Sequence, residues 1–171
     1  MKIKHFFILF FLFCLGIATK FVLKPQLFHD PFAYVLYDEE KSLLGAHIAA
    51  DGQWRFPPSD SIPSRFEKCI MNFEDNRFYL HHGFDQLAFL RAIWLNIKNR
   101  EVKSGGSTIS MQTIRLSRKG KARTIREKII EIFLANSLEQ DYSKSEIIAL
   151  YASNAPFGGN IVGLKAASWR Y

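Results

Sequence analysis

The sequence predicts a mainly α-helical domain with a small N-terminal β-hairpin and a membrane-anchor helix in front of it. Three observations predict this. From Pro63 onward, apolar residues recur three and four positions apart, the period of a helix. Upstream, Leu43 to Phe56 alternates loosely around Asp51-Gly52, a dipeptide suited to a tight hairpin turn. At the start, residues 6–18 (FFILFFLFCLGIA) carry no charge and are flanked by Lys2, Lys4 and Lys20.

The elements follow in order. Lysines before an apolar run leave the N-terminus in the cytoplasm and send the rest outward. The run reaches spanning length if Thr19 to Leu23 join it and Lys20 snorkels. A cleaved signal peptide is the competing reading, from Gly16-Ile17-Ala18. The organisation expected is an anchor over 1–24, a linker and hairpin over 25–62, and a helical domain over 63–171. Pro25 to Tyr37 reads as irregular. Pro63 opens a helix bearing Phe66, Ile70 and Phe73. Asp85 caps a second, with Leu87, Leu90, Ile93, Trp94 and Ile97 on one face. A basic loop over 98–103 leads to Gly105-Gly106-Ser107-Thr108, where Ser107 or Thr108 caps a helix through Arg115. The next helix, Arg123 to about Leu138, is apolar around much of its circumference and is expected to be largely buried. Ser143 with Glu146 is a capping box for a helix to Tyr151. Residues 154–160 (NAPFGGN) form a turn, and a last helix begins near Val162.

Composition narrows the class of function. The 171 residues are 48% hydrophobic and 23% charged, which excludes a disordered or collagen-like chain. The formal charge of +7 suits an anionic membrane face, a phosphorylated substrate or nucleic acid, and export removes nucleic acid from that set. Cys14 and Cys69 are too few for a disulfide framework or a cysteine zinc site. Ser-x-x-Lys, Lys-Thr-Gly, His-Glu-x-x-His, Walker A and Gly-x-Gly-x-x-Gly are all absent. His81-His82 has no accompanying ligand cluster, so no metal site is expected.

Three places could carry chemistry. Glu74 continues the i+4 row of Phe66 and Ile70, and a carboxylate on a core-facing row is desolvated toward the pKa of a general base. The bland reading is a helix-end carboxylate that caps or pairs with Arg77. Glu131 stands in an i+4 stripe with Arg123 and Glu127, next to Lys128, and such a strip on an apolar helix often lines a cleft. The bland reading is a solvated face with weak ion pairs. Two carboxylates on two helices also fit glycosyl chemistry. The Gly105-Gly106-Ser107-Thr108 turn could cradle a phosphate at a helix start, with Arg115, Arg118, Lys119, Lys121 and Arg123 close in sequence. A plain loop and a solvated basic face are the alternatives.

Taken together, these segments resemble the glycosyltransferase family 51 domain of bifunctional penicillin-binding proteins. Glu74-Asp75-Asn76-Arg77-Phe78-Tyr79-Leu80-His81-His82-Gly83 is similar to the family's E-D-x-x-F-x-x-H-x-G. Gly105-Gly106-Ser107-Thr108-Ile109-Ser110-Met111-Gln112 resembles G-G-S-T-I-T-Q-Q, and Lys128-Ile129-Ile130-Glu131 resembles the end of R-K-x-x-E. Tyr151 to Gly158 resembles Y-L-N-x-x-x-F-G, and Gly163 to Tyr171 resembles G-x-x-A-A-x-x-Y. Met111, Ala155-Pro156-Phe157-Gly158 and residues 51–56 (DGQWRF) are most like the penicillin-binding protein 1C subgroup.

The resemblance implies a lysozyme-like helical lobe beside a membrane-proximal jaw. It implies polymerisation of lipid II into glycan strands in cell-wall biosynthesis, with release of undecaprenyl diphosphate. By position, Glu74 would deprotonate the acceptor hydroxyl and Glu131 would assist at the donor. Arg115, Arg123 and Lys128 would stabilise the diphosphate. Asp75, Phe78, His81, Gly105, Gly106, Ser107, Thr108, Gln112 and Asn154 would complete the substrate site. Mg²⁺ at the diphosphate is a family analogy with no ligand set visible in the sequence. The partners implied are lipid II, the growing glycan, the membrane and other cell-wall synthesis proteins. Three departures stand out. Glu127 replaces the arginine of R-K-x-x-E, Ala152-Ser153 replaces the leucine of Y-L-N, and the chain stops just after the fifth motif. The last predicts a truncated lobe, and it keeps a second reading open, an anchored module that binds lipid II or a cell-wall partner without turnover. A cell-wall hydrolase of lysozyme-like fold ranks third, because it needs no phosphate turn.

Overall fold

Pro63 supplies the N-cap from which the first helix leaves, α1 (Ser64–Glu74). The computed structural model describes residues 26–58, 61–101, 105–119 and 121–171; the expected anchor over 1–24 and part of the loop over 98–103 lie outside them. A 3₁₀ turn at Phe78–Leu80 follows α1, then α2 (Gln86–Asn99), α3 (Ile109–Ser117), α4 (Ile125–Asp141), α5 (Lys144–Asn154) and α6 (Leu164–Arg170). Among the described residues no helix is long and apolar enough to cross a membrane.

The caps are those the side chains dictate. Asp85 accepts from the amides of Leu87 and Ala88 at 2.9 and 3.0 Å. Thr108 accepts from Met111 N, Thr124 from Glu127 N, and Ser143 with Glu146 completes the capping box. The main core collects Phe78, Ile109, Met111, Ile114, Ala135, Leu138, Ile147 and Ile148. Helix α3 lies at its centre, packed on α4 and α5, with Ile109, Ser110, Met111, Thr113 and Ile114 all buried.

The strands differ from expectation. β1 (Tyr34–Tyr37) pairs antiparallel with β2 (Leu43–His47), so the hairpin begins within the stretch expected to be irregular. Its turn is closed by Ser42 N donating to Asp38 Oδ1 at 2.7 Å. The Asp51-Gly52 turn does form, with Gly52 at φ 73° and its N–H donating to Ala49 O. It delivers the chain not back onto β2 but to β3 (Trp54–Arg55), which runs parallel to β5 (Ile161–Val162). β4 (Pro156–Gly158) pairs antiparallel on the other edge of β5, so residues 154–160 are a strand and turn rather than a turn alone. Burial decides this pairing. Phe56 joins Ala33, Ile161, Ala166 and Ala167 in a second cluster, and Trp54 and Phe56 stack against Trp169 at 5.3 and 5.5 Å. Arg55 is buried there, donating to Pro31 O and to Asp51.

Helical spacing did not decide which faces are buried. Phe73, at helical spacing from Ile70 on α1, is 88% exposed. Leu87, Leu90, Ile93, Trp94 and Ile97 of α2 do share a face, but it points outward, each 41–72% exposed; only Ala92 of this helix is fully buried. Helix α4 is less buried than expected, with Ile125 and Ile129 at the surface, because α3 and α5 cover only one side of it.

Candidate active site

The site is organised by one turn of α3. Gln112 and Arg115 are three residues apart, so both project from the same side of the helix. Gln112 Nε2 donates to Glu74 Oε2 at 2.7 Å, across from the end of α1. Arg115 meets Glu131 of α4 in a two-pronged contact, Nε to Oε1 and Nη2 to Oε2, both 2.8 Å. Glu131 is only 5% exposed. Its carboxylate therefore depends on that guanidinium for compensation, and its hydrogen bond holds Arg115 above the usual arginine range. The sequence pattern alone suggested neither pairing.

Two adjoining hollows flank this helix. One, of about 570 Å³, is lined by Glu74, Asp75, Gly105 to Thr108, Gln112, Arg115 and Arg123. The other, of about 610 Å³, is lined by Arg115, Arg118, Lys119, Lys121, Arg123, Lys128 and Glu131. Gly105, Ser107, Arg115 and Arg123 belong to both. Glu74 thus opens on the first hollow and Glu131 on the second, with Arg115 between them.

The glycine turn is pinned from the basic side. Lys128 Nζ donates to Gly105 O at 2.5 Å and to Ser107 Oγ at 3.3 Å. Burial pushes the Lys128 ammonium below its ordinary value, and Arg115 beside it adds to the effect. Two amides at the start of α3 are taken by side chains of the protein itself. Ile109 N donates to Asp75 Oδ2 at 3.0 Å and Met111 N to Thr108 Oγ1, so first-turn amides of α3 are already occupied. The cations Arg115, Arg123 and Lys128 line the hollow beside this turn.

Several expected site residues stand behind the cleft rather than in it. Phe78 is 1% exposed and belongs to the core. His81 is buried, its Nε2 3.0 and 3.1 Å from the two oxygens of Asp75. Thr108, which does line the first hollow, donates from behind it to Gly83 O at 2.5 Å. These groups fix the loop after Glu74 onto the start of α3. Asn154 is apart from the cleft: its amide donates to Leu150 O at the end of α5, and it lines a separate hollow. Glu127, the departure from the family pattern, is paired with Arg118 at 2.7 Å, so the reversed charge is compensated locally.

Other lining residues escaped the sequence reading. Asn72, Asn76, Asp85 and Arg91 face the first hollow. The signal for Arg91 was its i+3 spacing from Ala88, a polar interruption of the apolar face of α2. Tyr151 of α5 lies within the field of Glu74: burial raises its phenol above the ordinary range and the carboxylate raises it further.

The two carboxylates of the second hollow, Glu127 and Glu131, are each held by an arginine. Among the described residues no group of three His, Cys, Asp or Glu side chains could hold a metal. Compensation of an anion here falls to arginine and lysine.

Comparison with known proteins agrees with this geometry. The family model described as Transglycosylase matches residues 42–171. Penicillin-binding protein 1C of Escherichia coli (strain K12) is 37% identical over 140 residues, 81% of this chain and 18% of that protein. A monofunctional glycosyltransferase of Staphylococcus aureus (strain JH9) is 36% identical over 116 residues, 68% of this chain and 43% of that protein. The chain spans less than half the length of these curated relatives. With the matched region enclosing both carboxylates, the glycine turn and the basic hollow, the chain belongs to the transglycosylase family, glycosyltransferase family 51.

Proposed function

We propose that the chain is a peptidoglycan glycosyltransferase that polymerises lipid II into glycan strands for the cell wall. The observation that carries this is the pair of hollows joined at Arg115, one presenting Glu74 and the other Glu131 with its surrounding cations. Glu74 acts as the base. It takes the proton of the acceptor sugar hydroxyl as the oxygen forms a bond to the donor's anomeric carbon. The bond from that carbon to the diphosphate breaks, and undecaprenyl diphosphate leaves with the electron pair. Charge develops on the diphosphate oxygens, where Arg115, Arg123 and Lys128 stabilise it. Glu131 keeps Arg115 aimed at the leaving group. Gln112 orients Glu74. His81 and Phe78 act from behind as supports, with His81 holding Asp75 of the cleft wall. The helical part is read as the lysozyme-like lobe of the family.

The same reading places the protein at the bacterial cytoplasmic membrane, anchored by the apolar N-terminal run, with the catalytic part outside. The outward apolar face of α2 supports this, since Ala88 and Arg91 of the same helix line the cleft. A lipid-linked substrate would enter from the bilayer on that side.

Polymerisation of labelled lipid II by the purified full chain in detergent, beside Glu74→Gln, tests the proposal. Wild type is expected to make polymer, and the variant to lose about 10²–10⁴-fold of the rate while still binding lipid II. Equal rates would overturn Glu74 as the base. A folded wild type that binds lipid II without turnover would favour the binding module.

A further inference from the structure

Behind the cleft lies an ion pair that the proposed mechanism does not use. Lys144, the first residue of α5, places its Nζ 2.7 Å from Glu139 Oε2 and donates to His81 O at 2.7 Å. The same ammonium sits 4.2 Å above the Phe78 ring. Glu139, its side chain 3% exposed, also accepts from Ser110 Oγ at 2.5 Å. A lysine at the first position of a helix opposes the helix dipole and costs local stability. Another interaction must offset that cost, and these contacts identify it.

The contacts converge on Glu74 by two routes. His81, held by Lys144 through its carbonyl, grips both oxygens of Asp75, the residue next to Glu74. Ser110, held by Glu139, is two residues before Gln112, the donor to Glu74. The loop also has anchors of its own, Thr108 on Gly83 O and Arg77 on Asp85 at 3.0 Å. Losing the Lys144 tie should therefore displace the loop slightly rather than unfold it.

We propose that Lys144, together with Glu139, is a positioning residue for Glu74, acting through His81 and Asp75 on one side and through Ser110 and Gln112 on the other. This rests on the reading of Glu74 as the base. Removing Lys144 alone would strand a buried carboxylate, so the informative variant removes both charges while keeping their shapes, Glu139→Gln with Lys144→Met. A purely structural pair replaced in this way leaves both stability and rate near wild type. A positioning pair leaves the melting temperature near wild type, lowers kcat on lipid II about 10–100-fold and leaves KM within about twofold. Lys144→Arg, which still reaches the carbonyl, recovers most of the rate.

A second readout does not depend on turnover. The ¹⁵N signals of the His81 ring in the full chain are expected to move in the double variant as its bond to Asp75 loosens. An unmoved His81 signal overturns the proposal whatever the polymerisation assay gives. A moved signal with wild-type kcat overturns it too. Absence of polymer from wild type overturns the functional reading and the positioning role with it; the His81 signal then still reports whether the tie exists.

Discussion

Gly105 and Gly106 are neighbours in sequence with opposite tolerances in space. A Cβ at Gly105 would meet nothing within 4 Å. At Gly106 it would lie 3.1 Å from Phe89 Cα and 3.2 Å from Ala92 Cβ, on a backbone of φ 51°. Gly106→Ala is therefore expected to lower the melting temperature and shift the turn against α2, costing about 1–3 kcal/mol, while Gly105→Ala leaves it near wild type. Thermal unfolding of both variants checks this. Lys128 gives a pH prediction at the same scale. Burial and Arg115 lower its folded-state value, Glu131 opposes in part, and Arg123 adds to the lowering. The folded chain thus releases this proton before an unfolded one does. Stability from this group rises as pH climbs from the lowered value to the ordinary 10.5, and attraction for an anion falls over the same interval. Calorimetry with inorganic pyrophosphate should show affinity falling as pH rises toward 10.5, and Lys128→Arg should flatten that fall. An identical fall in both would remove Lys128 from the anion site. Neither property could be read from residue order, because the neighbours that decide them come from α2, α3 and α4.

At the scale of elements, the helices were largely legible and the strands were not. Asp85, Thr108 and the Ser143–Glu146 box each cap the helix expected of them, because a cap bonds amides two or three residues away. Asp85 does more than its motif suggests: it also pairs with Arg77, tying α2 to the loop after Glu74. Asp85→Ala is expected to cost about 1–2 kcal/mol and Asp85→Asn less, measured by denaturant unfolding. Equal losses would mean that the charge on Arg77, not the cap, dominates. The Asp51-Gly52 turn shows the opposite case. Its local geometry is as expected, yet the strand after it pairs with Ile161–Val162, far along the chain.

For the whole molecule, the arrangement of exposed faces carries the consequence. The apolar row of α2 has the periodicity of a core helix, and periodicity does not say which partner covers it. Among the described residues no packed element does, and the row lies beside the cleft wall formed by Ala88 and Arg91. If it rests on a bilayer, Leu90→Glu with Ile97→Glu should reduce recovery of the full chain with anionic vesicles in flotation, and should slow polymerisation on vesicles more than in detergent. Unchanged recovery would remove the α2 face from membrane contact.

The sequence by itself determined the helical segments and their caps, and the motifs by which Glu74, Glu131, the glycine turn and Lys128 were singled out. All of these depend on residues within a few positions of one another. Only the tertiary structure decided that Gln112 holds Glu74, that Arg115 neutralises Glu131, that Asp75 accepts from the first amide of α3, and that Phe78 and His81 support the cleft from behind. Those outcomes are set by which buried polar groups find partners, and the partners are supplied by segments 16 to 38 positions away.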